Sequence, residues 1–204
     1  RGGGSIWPLE HVQAISALCR SRGIRLHLDG ARLLNACVAT GLKATDYTRH
    51  VDSATLCFSK GLGAPVGSIT AGPRDFVARA RRWRKMLGGG MRQAGILAAA
   101  ALYALDHHVE RLADDHANAQ LLARGLAEID TLDLDPDEAE TNMVFFNCGR
   151  TGMTAAELEQ RMAREGVLIH AVAPQRVRLV THLDVSREQA LAAVAAFRRV
   201  LMSV

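Results

Sequence analysis

Two short apolar runs, each closing on a charged residue and a glycine, constrain this chain more than any other feature in it. Ile24-Arg25-Leu26-His27-Leu28 ends at Asp29-Gly30, and Ser53-Ala54-Thr55-Leu56-Cys57-Phe58 ends at Ser59-Lys60-Gly61. Both have the length and residue types of a strand. Roughly two dozen residues separate them, enough for a helical crossover, so the two strands can lie parallel in one sheet. Between them Leu33, Leu34 and Val38 predict a short helix closed by Gly41, and before them Pro8 opens a helix that runs to Arg22-Gly23. A third apolar run covers residues 66–71. Such alternation predicts an α/β body with a parallel-rich sheet.

In residues 73–87, PRDFVARARRWRKML, Phe76, Val77, Ala80, Trp83 and Leu87 recur at helical spacing. Arg79, Arg81, Arg82, Arg84 and Lys85 then form a solvated basic face; without stacking aromatics or a nucleic-acid motif, the run is not read as a nucleic-acid site. A glycine turn at 87–90 leads to long helical patterns over 91–129. The acidic stretch 130–140 reads as a loop. After it, strands at 142–147, 166–170 and 176–182 alternate with helices at 154–164 and 186–202, a small α+β domain in which Ser186 and Gln189 make a capping box. The expected division is residues 1–129, the later part of a major domain with its long connecting helices, and residues 141–204, the small domain.

Composition narrows the function classes. With 204 residues, 49% hydrophobic and 23% charged, the chain is an ordinary globular protein, not a disordered or disulfide-stapled one. No apolar run approaches the ~18 residues of a membrane helix. Cys19, Cys37, Cys57 and Cys148 are irregularly spaced with no CxxC pair, which predicts buried free thiols in a reducing compartment and no metal site. The chain opens on Arg1, followed by Gly2, Gly3 and Gly4, with no signal-peptide core, so its start reads as a break inside a longer protein. Residues 1–102 carry +10 and residues 103–204 carry −6, so the first half should face something anionic.

Asp29 and Lys60 each follow the carboxyl end of a predicted parallel strand, where open α/β sheets place ligands. A lysine after an apolar strand, followed by three glycines and a proline, is placed for nucleophilic imine chemistry with an aldehyde. An acid on the neighbouring strand can keep a pyridine nitrogen protonated, as pyridoxal phosphate (PLP) requires. Spacing alone leaves open a structural salt bridge of Asp29 with Lys60 or Arg32. The glycines of 61–67 match no nucleotide motif and read as a tight turn around the lysine. His27 reads as a core histidine on a doubly buried strand, His107, His108 and His116 as surface residues, and His182 as lying at a strand end.

The blocks RGGGSIWPLE, LHLDGARLLNA, FSKGLGAPVGS, RRWRKMLGGGMRQAG and RLVTHLDVS, in this order, resemble the low-specificity L-threonine aldolases, PLP enzymes of the aspartate aminotransferase (type I) fold. The resemblance spans essentially the whole chain and implies an incomplete type I major domain plus a small carboxyl-terminal domain, the family's amino-terminal part being absent. It implies that Lys60 forms the imine with PLP, that Asp29 pairs with the pyridine nitrogen, and that Arg32 lies beside the phenolic oxygen or the substrate. It implies that Arg178 grips the substrate carboxylate, and that Lys85 and Arg92 lie near the active-site mouth or the cofactor phosphate. The implied reaction is cleavage of L-threonine or L-allo-threonine to glycine and acetaldehyde. The resemblance also implies a cytoplasmic homotetramer of tight dimers, acting on a small amino acid, with no nucleic acid or membrane partner. Another type I lyase or aminotransferase reaction, or an inactive remnant, is the alternative.

Overall fold

The crossover expected between the first two strands is present in the computed structural model, which describes residues 3–202; Arg1 and Gly2, on which the expected break rests, lie outside the described residues, as do Ser203 and Val204. Helix α1 (Leu9–Ser21) leads to strand β1 (His27–Gly30), then α2 (Leu33–Thr40), α3 (Ala44–Thr48), β2 (Ser53–Cys57) and β3 (Ser68–Ala71). β1 and β2 are parallel, with His27 opposite Ser53 and Asp29 opposite Thr55, whereas β3 runs antiparallel to β2, in the order β1-β2-β3. The sheet is therefore mixed.

The first strand starts later than Ile24 because its approach is held by a side chain. Asp52 Oδ2 accepts from the Leu26 amide at 2.8 Å, Asp52 Oδ1 pairs with Arg25 at 2.7 Å, and the Asp52 amide donates to Leu26 O. These bonds, with that of Leu26 the largest cause, hold the Asp52 carboxyl below its ordinary pKa. Gly41, at φ 73°, closes α2 in the left-handed conformation that glycine adopts without strain. Strand alternation then sorts the side chains. Leu28 packs with Leu33, Val12, Cys37 and Tyr47, and Leu56 with Phe58, Leu62, Ala101, Ala104 and Leu112. His27, Asp29, Ser53, Thr55 and Cys57, at the alternate positions, share the other face.

Helices α4 (Arg74–Met86) and α5 (Gly95–His107) follow, then α6 (Leu112–Ala127), β4 (Met143–Asn147), α7 (Ala155–Arg164), β5 (His170–Ala173), β6 (Arg176–Val180) and α8 (Arg187–Met202). The later strands form an antiparallel sheet in the order β4-β6-β5. Thr154 caps α7 with Glu157 in a capping box, and the Ser186–Gln189 box has both of its bonds. Strand β5 begins at His170 rather than Gly166 because residues 166 and 167 close α7: Gly166, at φ 78°, donates to Ala163 O, and Val167 to Met162 O.

The described chain divides into two bodies. One is Trp7–Leu112; the other starts at Ala113 and includes the opening residues up to Ile6. This differs from the boundary expected between residues 129 and 141. Ala119, Leu122, Ala123 and Leu126 of α6 lie in the same core as Val144, Phe146, Leu158, Met162, Val177 and Phe197, so the helix belongs with the later sheet. Gln120 Nε2 also pins the acidic loop by donating to Pro136 O at 3.1 Å and Ala139 O at 2.9 Å.

Candidate active site

Lys60 sits three residues past β2 in a turn whose backbone bonds close on themselves. Phe58 N donates to Gly67 O, Gly63 N to Lys60 O at 2.8 Å, and Ala64 N to Phe58 O at 3.0 Å. Gly63 at φ 70° and Gly67 at φ 111° make this path possible, which is the tight-turn reading of these glycines. The turn holds Lys60 half-buried beyond the carboxyl end of β2. Burial works against the neighbouring Cys57 thiolate, but hydrogen bonds with Ser59 and the Lys60 ammonium outweigh it, and the thiol pKa falls. All four cysteines are free, yet only Cys37 and Cys148 are buried as expected; Cys19 and Cys57 are half-buried.

Asp29 lies on the adjacent parallel strand, at the same sheet edge. Its carboxylate is exposed and accepts one long bond, from Ala31 N at 3.3 Å; among the described residues it enters no salt bridge. The ion-pair alternative for Asp29 with Lys60 or Arg32 is not what the structure contains. Arg32, half-buried, precedes the first residue of α2. His27, expected in a doubly buried strand, is exposed, because the helices cover the Leu28 face and not its own. Its ring is nonetheless held: Nδ1 lies 2.8 Å from Ser53 Oγ and Nε2 3.1 Å from Thr55 Oγ1. These two hydroxyls were overlooked in the sequence, although alternation along SATLC was the signal that could have placed them on the Asp29 face.

Lys85 and Arg92 occupy exposed positions in the same body. No residue of α4 is buried, so the basic face is solvated as expected. Lys85 lies over Gly90, where an added Cβ would come within 2.5 Å of Lys85 Cδ. Arg92 precedes Gln93, which at φ 50° is the non-glycine residue with left-handed backbone among those described. His107 is exposed, but the surface expectation fails for two other histidines. His108 is half-buried with Nδ1 2.6 Å from Leu62 O, and burial lowers the pKa of His116.

Arg178 belongs to the second body, on the central strand β6, opposite Phe145 of β4 and His170 of β5. Val177 and Leu179 point into the core, which leaves Arg178 on the other face with its Nε buried and lacking a hydrogen-bond partner among the described residues. Arg176 lies over the Phe145 ring at 5.1 Å. His182 is half-buried beside Asp184, at 3.4 Å. No cluster of metal-ligating residues and no helix long and apolar enough to cross a membrane occurs among the described residues.

The sequence profile described as beta-eliminating lyase matches residues 1–148. The chain belongs to this family. Among curated members, the low specificity L-threonine aldolase of Escherichia coli (strain K12) is 49% identical over 200 residues, 98% of this chain and 58% of the relative. A probable low-specificity L-threonine aldolase 2 of Arabidopsis thaliana is 39% identical over 202 residues, again 98% of this chain and 57% of its own length. The chain thus spans somewhat more than half the length of these relatives. The solved structure of Leishmania major threonine aldolase superposes with a TM-score of 0.77 at 20% identity, covering 98% of this chain and 58% of that one, which shows the shared type I fold.

Proposed function

We propose that the protein containing this chain is a PLP lyase that cleaves L-threonine and L-allo-threonine to glycine and acetaldehyde. The observation that carries the reading is the placement of Asp29, exposed and without a salt bridge among the described residues, and of Lys60 at the carboxyl ends of two adjacent parallel strands. The identity to curated threonine aldolases supports the substrate. These residues fit the cofactor: an amine held in a glycine turn, and an acid with accepting capacity to spare. Bound PLP supplies an electron sink for the pair released when the Cα–Cβ bond of a β-hydroxy amino acid breaks.

In this reading Lys60 would hold the cofactor through its amine. Asp29 keeps the ring nitrogen protonated by accepting its hydrogen bond. Arg178 binds the substrate carboxylate; its buried Nε, without a hydrogen-bond partner among the described residues, suits a bidentate acceptor. Arg32 serves the cofactor oxygen or the substrate, Arg92 the cofactor phosphate, and Lys85 the mouth of the site. A homo-oligomer in a reducing cytoplasm completes the proposal, supported by the free thiols and by the exposed Trp83, Met86, Leu87, Met91, Ile96 and Tyr103.

The test is Lys60→Ala in the gene product that contains this chain. The visible absorbance of the bound cofactor and the release of glycine and acetaldehyde from threonine should both vanish. A variant that keeps the band and the turnover defeats the reading, and 2-oxobutanoate with ammonia as the products that the unaltered protein forms from threonine would replace aldol cleavage by β-elimination.

A further inference from the structure

The second body carries a groove that the proposed reaction does not use. It lies between α6 and α8, has a volume of about 800 Å³, and takes one stripe of side chains from each helix. Gln120, Arg124 and Glu128 stand one turn apart along α6, as Arg187, Leu191 and Ala195 do along α8. Leu121 and Val194 give the groove an apolar floor, and Leu191 is 52% exposed. At Gly125 the helices approach so closely that a Cβ would lie 2.8 Å from both methyl groups of Val194. The walls are basic. Arg198 is paired with Glu128, and Arg199 with Glu165 at 2.9 Å, whereas Arg124 and Arg187 enter no salt bridge among the described residues.

The acidic loop borders this groove. Residues 130–140 hold six carboxylates, Asp130, Asp133, Asp135, Asp137, Glu138 and Glu140, and no basic side chain. None of the six enters a salt bridge among the described residues. Blocks of like charge repel and are commonly disordered, yet this one is held in place. Gln120, which also lines the groove, is the link: its Nε2 donates to Pro136 O and Ala139 O, and its Oε1 accepts from Arg124 Nε at 3.3 Å. Asp133 exchanges both backbone bonds with Asn147, and Asp135 accepts from the Asp137 amide at 2.9 Å. Asp137 and Glu138 are left exposed.

A basic groove beside an acidic loop makes a surface complementary to itself. A two-fold rotation about an axis through their boundary lays the loop of each copy over the groove of the other, so that every contact occurs twice. Groove on groove would instead set arginine against arginine, which like-charge repulsion disfavours. We propose that the α6–α8 face is an interface between two copies of this chain, with Asp137 and Glu138 of one copy set against Arg124 and Arg187 of the other and the exposed Leu191 covered by the contact. The interface uses residues of the second body alone, apart from the exposed apolar residues of the first body invoked above, and it does not depend on the proposed reaction.

The experiment reads mass by sedimentation in the gene product that contains this chain, as the parent and as two charge-reversed variants, Arg124→Glu with Arg187→Glu and Asp137→Lys with Glu138→Lys. Thermal melts establish folding. Each variant alone sets like charges on both sides of the contact and should sediment at half the parent mass. An equimolar mixture should return to the parent mass, because the acidic groove of one variant then meets the basic loop of the other. Raising the salt from about 0.05 M to about 0.5 M shortens the screening length roughly threefold and should weaken the parent association about tenfold. Folded variants that each keep the parent mass overturn the inference, as does a mixture no heavier than its components or a parent that sediments as a single chain. Where a reversal fails to fold, Arg124→Gln with Arg187→Gln takes its place: it should weaken the association and flatten its salt dependence, and an unchanged salt dependence overturns the inference.

Discussion

Gly30→Ala tests directly how tightly β1 and β2 must approach at Asp29. Gly30 is buried and its φ is not left-handed, so alanine can adopt the backbone; the obstacle is space. A Cβ there would lie 2.6 Å from Thr55 O and 3.2 Å from Leu33 Cβ. Carbon and carbonyl oxygen in ordinary contact keep about 3.3 Å or more, so something must yield by roughly 0.7 Å. Thr55 O is backbone in a strand and cannot rotate aside; β1 must pull away from β2. Overpacking of this kind costs about 1–3 kcal/mol. The stiffer unfolded chain returns about 0.4–1 kcal/mol, leaving a net loss of about 1–2 kcal/mol. At about 4–8 °C per kcal/mol for a body of this size, the melting temperature should fall by roughly 5–15 °C, measured by calorimetry at neutral pH. Gly95→Ala is the matched control: nothing lies within 4 Å of its Cβ and it opens α5, so alanine should raise the melting temperature slightly. A Gly30→Ala protein that melts at or above the parent would refute the argument from strand approach.

Arg178→Leu should retain the cofactor spectrum while kcat/KM for threonine falls by about 2–5 kcal/mol in transition-state terms, roughly 30-fold to several thousand-fold; near-normal kcat/KM would end the carboxylate assignment. Thr154→Ala removes the cap of α7 and should cost about 1 kcal/mol, read as a shift in the urea midpoint. Glu157, held below its ordinary pKa of 4.5 first by the Thr154 amide and then by its hydroxyl, stabilises the fold above that value and loses the effect as the pH falls through its depressed one. Glu157→Gln should therefore lose more stability at pH 7 than at pH 3, and an equal loss at both would contradict the cap geometry. Burial holds His116 below its ordinary pKa of 6.5, so the unfolded chain takes up the proton first as the pH drops through that value. Stability should fall from pH 7 toward pH 5, and less steeply in His116→Gln; parallel slopes would rule out this source of acid sensitivity.

Much of the candidate site was legible before any tertiary contact was known. The α/β character, the parallel pairing of the first two strands, the helix ends at Gly41, Thr154 and Ser186, and the placing of Asp29 and Lys60 at one sheet edge follow from short-range chemistry: apolar periodicity, capping residues, glycine at left-handed positions. Such signals are encoded within a few residues of where they act.

What depends on distant partners was not legible. That β1 begins at His27 and not Ile24 is decided by Asp52, which lies 26 residues from the Leu26 amide it captures. That α6 joins the later body is decided by Leu122 and Leu126 finding the core of the second sheet, although the periodicity of α6 is the same wherever its apolar side packs. The histidines show the limit most clearly. A sequence records that His27 lies within an apolar run, but its exposure depends on which sheet face the helices cover, and its orientation depends on two hydroxyls from a strand brought alongside by the crossover. Local sequence determines which elements form and which residues stand at their ends. Burial, strand neighbours and hydrogen-bond partners are properties of pairs far apart in the chain, and only the closed tertiary structure decides them.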